Sequence, residues 1–192
     1  MTVGCLVLSS SSLFAQKPAT TDVRQIDSYV KSIDRIVHRR KEPDMVFADT
    51  GDYDGDRPDW KRFASIKELD KSRDEKETYS VAYNWREKGK LAAANFTYFS
   101  PSGDWSQYVE HYFRPNGSLA FVRAELRTFE GDCAIKQKYY FDRKGRRLKR
   151  TVSYFDLNTN KPKKPCVGAD ALKFDYYTSV GKLPFASLLK EK

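Results

Sequence analysis

Glycine stands at positions 89, 103, 117, 131 and 145, a constant step of fourteen residues. Four and five places before each glycine lie Asn84-Trp85, Tyr98-Phe99, Tyr112-Phe113, Leu126-Arg127 and Tyr140-Phe141. Tyr154-Phe155 continues the series, with Thr159 where the next glycine would fall. A glycine recurring behind a mostly aromatic pair marks consecutive tight turns between strands of one length. The pattern therefore predicts an antiparallel meander over 78–155, with six strands of about ten residues, long by ordinary standards. This constrains the fold strongly and the chemistry hardly at all.

Four-residue loops (Arg86–Gly89, Ser100–Gly103 and onward) define a pairing register, which sorts the side chains. One face collects Val81, Tyr83, Trp85, Ala92, Ala94, Phe96, Trp105, Val109, Phe113, Ala120, Val122, Ala124, Leu126, Ile135, Tyr139, Leu148 and Val152. The other collects Asn84, Asn95, Thr97, Glu110, Arg123, Glu125, Arg127, Lys136, Lys138 and Lys149. Such separation predicts a sheet with one buried face. Ala92, Ala94, Ala120 and Ala124 form a shallow trough for a helix. Residues 22–41 supply one: Val23, Ile26, Tyr29, Val30, Ile33, Ile36 and Val37 keep the helical period, Asp22 is placed as N-cap, and Pro43 stops it. Long strands twist. The expected fold is mainly β, a curved antiparallel meander of six to seven strands, half-barrel or barrel-like, packed on one N-terminal amphipathic helix.

The rest of the chain divides by composition. Residues 42–77 hold twelve acids against seven bases and read as an acidic loop region with a short helix near 60–71. Within it Asp52, Asp54 and Asp56 have the spacing of a calcium loop, but Arg57 and Phe63 stand where an EF-hand needs glycine and an acid, so a solvated loop is expected. Residues 156–192 read as a basic loop, a seventh strand over Ala171–Ser179 and a short terminal piece over Leu183–Leu189. At the start, residues 1–15 carry no charge and read as a signal peptide cut after Ala15. A lipoprotein would need Cys5 as its acylated residue behind Thr2-Val3-Gly4, a poor lipobox. The mature domain would be 16–192, exported to a bacterial periplasm or beyond. Cys133 and Cys166 would remain, placed by the alternating turns at one end of the sheet, and a disulfide is expected between them.

Catalytic motifs are scarce. The chain holds two histidines and no GxSxG, HExxH, P-loop or dinucleotide glycine pattern. His111, with Gln107, Gln137 and Arg150, points into the apolar face, either lining a ligand pocket or satisfying neighbouring polar groups. No metal site and no cofactor are expected, since two cysteines without a histidine beside them make no zinc site. Charge is the stronger signal. The formal net charge is +9, and residues 134–164 carry eleven bases against Asp142 and Asp156. Arg123, Lys136, Lys138, Arg147 and Lys149 make a candidate anion-binding face, with Lys138 expected opposite Lys149 and Arg123 opposite Lys136. Tyr108, Tyr112 and Tyr140 share that face and are available for stacking on sugar rings or bases.

Two local patterns resemble known repeats. Tyr112-Phe113-Arg-Pro-Asn-Gly117-Ser-Leu resembles the hairpins of MORN-variant repeats found in some bacterial antitoxin-like proteins, and Tyr140-Phe141-Asp142-Arg-Lys-Gly145-Arg-Arg-Leu148 is similar to the YD repeats of Rhs proteins. Each likeness covers a turn and its flanks, about ten residues per copy. It implies β-hairpins and carries no catalytic residues across. Three functions follow in order: a non-enzymatic interaction module whose basic face meets an anionic glycan, lipid headgroup or acidic protein; a carrier of a small apolar ligand between helix and sheet, with His111 as a polar contact; and, last, an enzyme using loop carboxylates. Nucleic acid is disfavoured by the export reading, and an integral membrane protein by the charge on the polar face.

Overall fold

The computed structural model describes residues 19–53, 57–73 and 78–190. The signal segment expected over 1–15, Cys5 within it, and Asp54 and Asp56 of the acidic run lie outside the described residues. Among the described residues two α-helices, α1 (Ala19–Arg40) and α2 (Ile66–Arg73), accompany eight strands: β1 (Met45–Asp49), β2 (Trp60–Phe63), β3 (Ser80–Glu87), β4 (Lys90–Phe99), β5 (Trp105–Phe113), β6 (Leu119–Thr128), β7 (Cys133–Phe141) and β8 (Arg147–Asp156). All pair antiparallel in one sheet of order β2-β1-β3-β4-β5-β6-β7-β8. Because β2 and β8 do not pair with each other, the meander stays open rather than closing into a barrel.

The five ladder glycines all have positive φ, between 62° and 82°, as turn residues must. The turns depart in length or position from the four-residue loops expected. At the first, Lys88-Gly89 alone link Glu87 to Lys90. Pairing is displaced by two residues at the four later hairpins, which keeps each residue on its face, and by three at the first, which inverts β3. Val81, Tyr83 and Trp85 therefore lie opposite to the side expected.

Three hairpins also carry a β-bulge. The register slips between Trp85 and Arg86, between Tyr112 and Phe113, and between Tyr140 and Phe141, leaving Ala92, Ala120 and Leu148 as the extra residues. These are twenty-eight residues apart, so bulges mark every second turn. A bulge moves its residue off the regular alternation. Ala92 and Ala120 thus leave the face of Ala94 and Ala124 and pack under α1 instead.

Both faces of the sheet are covered, each in part. On one side Ile26, Val30 and Ile33 of α1 pack against Ala92, Ala93, Tyr112, Ala120, Phe121 and Tyr140, while α2 sets Leu69 on Val46, Ala48 and Val81. On the other side the cover is the C-terminal segment, where Leu183 and Phe185 join Met45, Phe47, Phe96, Val109, Phe113 and Val122. Phe185 stacks on Phe47 at 4.2 Å between centroids, and neither is exposed. Such a buried aromatic contributes about 1.5–3 kcal/mol by burial, with about 0.5–1.5 more for the ring pair. Of the trough expected to hold the helix, Ala94 and Ala124 lie under this segment, while Ala92 and Ala120 lie under the helix on the opposite face.

Three further expectations need correction. α1 begins at Ala19, so Asp22 lies in its first turn rather than capping it, and it ends where Lys41 adopts a φ of 55° ahead of Pro43. Part of the acidic region is β1 and β2. β1 is buried on both sides, so its Met-Val-Phe-Ala core shows no alternation. Ala171–Ser179 forms no strand. It crosses over the sheet rather than along an edge, bridged only at Ser118–Ser179, and short 3-10 turns flank it at Ala169–Leu172 and Val180–Lys182.

Candidate functional site

The inward polar residues sit on the face covered by the C-terminal segment. His111 lies opposite Ala94 and Val122 and is completely buried. Its Nε2 accepts the Tyr177 backbone N–H at 3.1 Å, which puts the proton on Nδ1, 3.2 Å from the Val109 carbonyl. Phe96, Phe113 and Tyr177 surround the ring. Burial disfavours the imidazolium and lowers its pKa from 6.5 to about 4. Gln137, also buried, donates from Nε2 to the Leu172 carbonyl at 2.9 Å and accepts from Arg150 Nη2 at 3.1 Å through Oε1. His111 and Gln137 are thus anchors for the C-terminal segment. Gln107 lies on the same face between Tyr98 and Leu126, half-buried and apart from that pair.

The basic residues separate into three groups. Arg123 stands opposite Lys138 and is matched by acids: its Nε donates to Glu110 at 2.6 Å, and Nη2 reaches Asp34 of α1 at 3.3 Å. Burial works against its charge, yet Glu110, Tyr112 and Asp34 hold its pKa above the usual guanidinium range. Lys136 lies opposite Glu125, at 3.8 Å, and over the Phe155 ring. Lys138 and Lys149 are not partners, as Lys138 pairs Thr151 and Lys149 pairs Tyr140. Among the described residues neither has a carboxylate within ion-pair distance. Arg147, expected on this face, lies on the other.

The tyrosines divide as well. Tyr112 and Tyr140 are buried under α1, where Tyr112 donates to Asp34 at 2.5 Å and Tyr140 to Asp27 at 3.0 Å. Asp27 and Asp34 are seven residues apart, two helical turns, and so meet two strands in turn. Of the three tyrosines only Tyr108 keeps part of its surface.

Two openings remain of interest. The larger, about 740 Å³, lies between the first half of α1 and the turns at Gly117 and Gly145, with Ile26, Ala120 and Leu148 inside and Arg114, Arg143 and Lys144 around it. The smaller, about 350 Å³, lies between the β8 edge and the C-terminal segment. In it the guanidinium carbons of Arg147 and Arg150 stand over one ring, that of Tyr139, at 5.3 and 5.5 Å. Phe174 and Tyr176 close the side at 5.0 and 5.7 Å from Tyr139. Arg147 and Arg150 were legible as basic residues, but their meeting depends on the Leu148 bulge. Phe174 and Tyr176 were legible only as an aromatic alternation, read as a strand.

Other chemistry lacks an assembled centre. Asp49, in the acidic region, closes its own loop by accepting from Gly51 N and Asp59 N at 3.0 and 2.7 Å. Among the described residues no cluster of His, Cys, Asp or Glu is placed to hold a metal, and no helix is long and apolar enough to cross a membrane. Cys133 and Cys166 pair as a disulfide, with Cα atoms 6.1 Å apart. Comparison of the chain with protein-family models, with curated proteins and with solved structures finds no match.

Proposed function

We propose that this protein is an exported, non-catalytic binding module that engages an anionic partner through the β7–β8 margin of its sheet. One observation carries the reading: among the described residues four cations of this margin, Lys138, Arg147, Lys149 and Arg150, have no acid within ion-pair distance, while Arg123 and Lys136 beside them are paired. Arg123 has Glu110 and Asp34, and Lys136 has Glu125. Arg147, Lys149 and Arg150 have hydrogen bonds or aromatic rings instead of acids, and among the described residues Lys138 has no acid within ion-pair distance. A concentration of unmatched charge raises the local density of counter-ions and steers an anionic partner. The disulfide accords with an oxidising compartment, and the hairpin likeness to MORN-variant and YD repeats brings no catalytic set with it. A second reading, a carrier of an apolar ligand, draws on the 740 Å³ opening beside α1, whose apolar floor and basic rim suit a chain with an acidic head.

One titration series separates the two. The full chain is offered polygalacturonate, polyglutamate, phosphatidylglycerol vesicles and laurate at low and physiological ionic strength. Binding to a polyanion should weaken as salt is raised and disappear when Lys138, Arg147, Lys149 and Arg150 are all changed to Gln. Undiminished polyanion binding by that variant would sink the main reading. Laurate binding insensitive to salt and to the four changes would favour the carrier.

A further inference from the structure

The Leu148 bulge has counterparts at Ala92 and Ala120, and the residues around the three can be compared position by position. In a regular strand, residues three apart point to opposite faces. The extra residue in each bulged strand brings them to the same one. At the first bulge the residues so paired are Leu91 and Ala94, and at the second Leu119 and Val122, all four buried in the core under the C-terminal segment. At the third they are Arg147 and Arg150. The same backbone device that elsewhere completes a core here aims two guanidinium groups at one tyrosine.

We propose that this place is a binding site for the carboxylate of a sugar acid, and it rests on the anion-binding reading above. Arg150 is oriented in advance, because its Nη2 is held at 3.1 Å by Gln137, which is itself buried and fixed to the Leu172 carbonyl. Arg147 stands beside it over the same Tyr139 ring. Two neighbouring cations with no carboxylate between them repel one another, and an oxyanion placed between them removes that repulsion. Guanidinium groups present paired N–H donors in the plane a carboxylate requires. Of the acids on the C-terminal segment, Asp170 is engaged by Lys173 at 2.6 Å, and Asp175 stands close enough to Tyr98 and Tyr177 to help raise the pKa of both.

The aromatic residues narrow the ligand. Tyr139 forms the floor at 7% exposure, so a bound group must project into a recess. A flat lipid surface does not offer such a projection, and the carboxylate of an aliphatic peptide residue brings no ring to cover Phe174 and Tyr176. A pyranose carrying its own carboxylate supplies both. The volume of about 350 Å³ falls at the small end of ligand sites, near one or two sugar units.

Calorimetric titration of the full chain tests the assignment, with trigalacturonic acid, its methyl ester, inorganic phosphate and phosphatidylglycerol vesicles as probes. Trigalacturonic acid should bind about tenfold or more tightly than its ester or phosphate. Its affinity should fall by about tenfold or more in the variant carrying Arg147→Gln with Arg150→Gln. Lys67→Gln with Lys71→Gln, on α2 at the other end of the sheet, should leave it unchanged, and Lys138→Gln with Lys149→Gln, on the opposite face, should weaken it less than the arginine changes do. Thermal melting of all three variants checks that each folds. Equal binding of the ester or of phosphate overturns the site, as does a preference for vesicles. A loss that follows Lys138 and Lys149 instead overturns the site and leaves the broader anion-binding reading standing. Failure of every anionic probe removes both.

Discussion

His111 shows how one residue can look like a ligand contact and act as a clasp. Its ring joins β5 to the backbone of the C-terminal segment, and it does so as the neutral imidazole, since Nε2 must be free to accept from Tyr177. In the unfolded chain the ring titrates near its ordinary 6.5, and in the fold near 4. Between those values the unfolded state binds a proton that the folded state refuses. The contribution of this residue to stability is therefore intact above about pH 6.5 and is lost as pH falls through about 4, a change on the order of 3 kcal/mol. Urea midpoints measured across that window should fall for the wild-type chain and stay nearly level for His111→Gln. Parallel losses in the two proteins would show that another group carries the acid sensitivity.

At the level of elements, the hairpins are less uniform than their spacing. Every second one is bulged, and the bulged end is where α1 sits, because Ala92 and Ala120 are small enough to let the helix approach and Leu148 continues the row. Among the unbulged turns, Gly131 differs from Gly103. A Cβ on Gly103 would meet nothing within 4 Å, whereas one on Gly131 would stand 2.3 Å from the Cys166 carbonyl oxygen. Both have positive φ, so alanine at either should cost about 1–2 kcal/mol in backbone strain. Gly131→Ala should cost more than twice as much, since the loop it would strike is tied down by the disulfide and by Lys163 Nζ on the Gly131 carbonyl at 2.7 Å. Equal denaturation midpoints for the two variants would mean that the loop yields freely.

Across the whole molecule, one sheet is held by covers on both faces and by a covalent tie at one end. The disulfide spans 33 residues. Closing a loop of that length in the unfolded chain corresponds to about 4 kcal/mol in the chain-entropy account. Reduction, or Cys133→Ser with Cys166→Ser, should lower the unfolding free energy by roughly that amount. Coincident urea transitions for oxidised and reduced protein would contradict it. The tie also bears on the open edge, since the loop it anchors lays Pro162 against Phe155 and sends the Lys163 N–H to the Tyr154 carbonyl at 2.9 Å. That covers one end of β8, leaving the basic stretch around Arg147 to Arg150 as the exposed margin.

The glycine step by itself determined the meander, its β4–β8 neighbours and the common end of Cys133 and Cys166, because turn chemistry is local and repeats wherever the same residues recur. The apolar period of α1 was equally readable. Which face each cover occupies was decided only in the tertiary structure. Loop length and bulges alter side-chain parity by single residues, and a one-residue change inverts a strand, as it did for Val81, Tyr83 and Trp85. β1 was hidden because a strand buried on both sides has no alternation to read. The meeting of Arg147 with Arg150 over Tyr139 required a bulge, a buried Gln137 and a segment some thirty residues further along the chain, and such a conjunction exists only once the chain has folded.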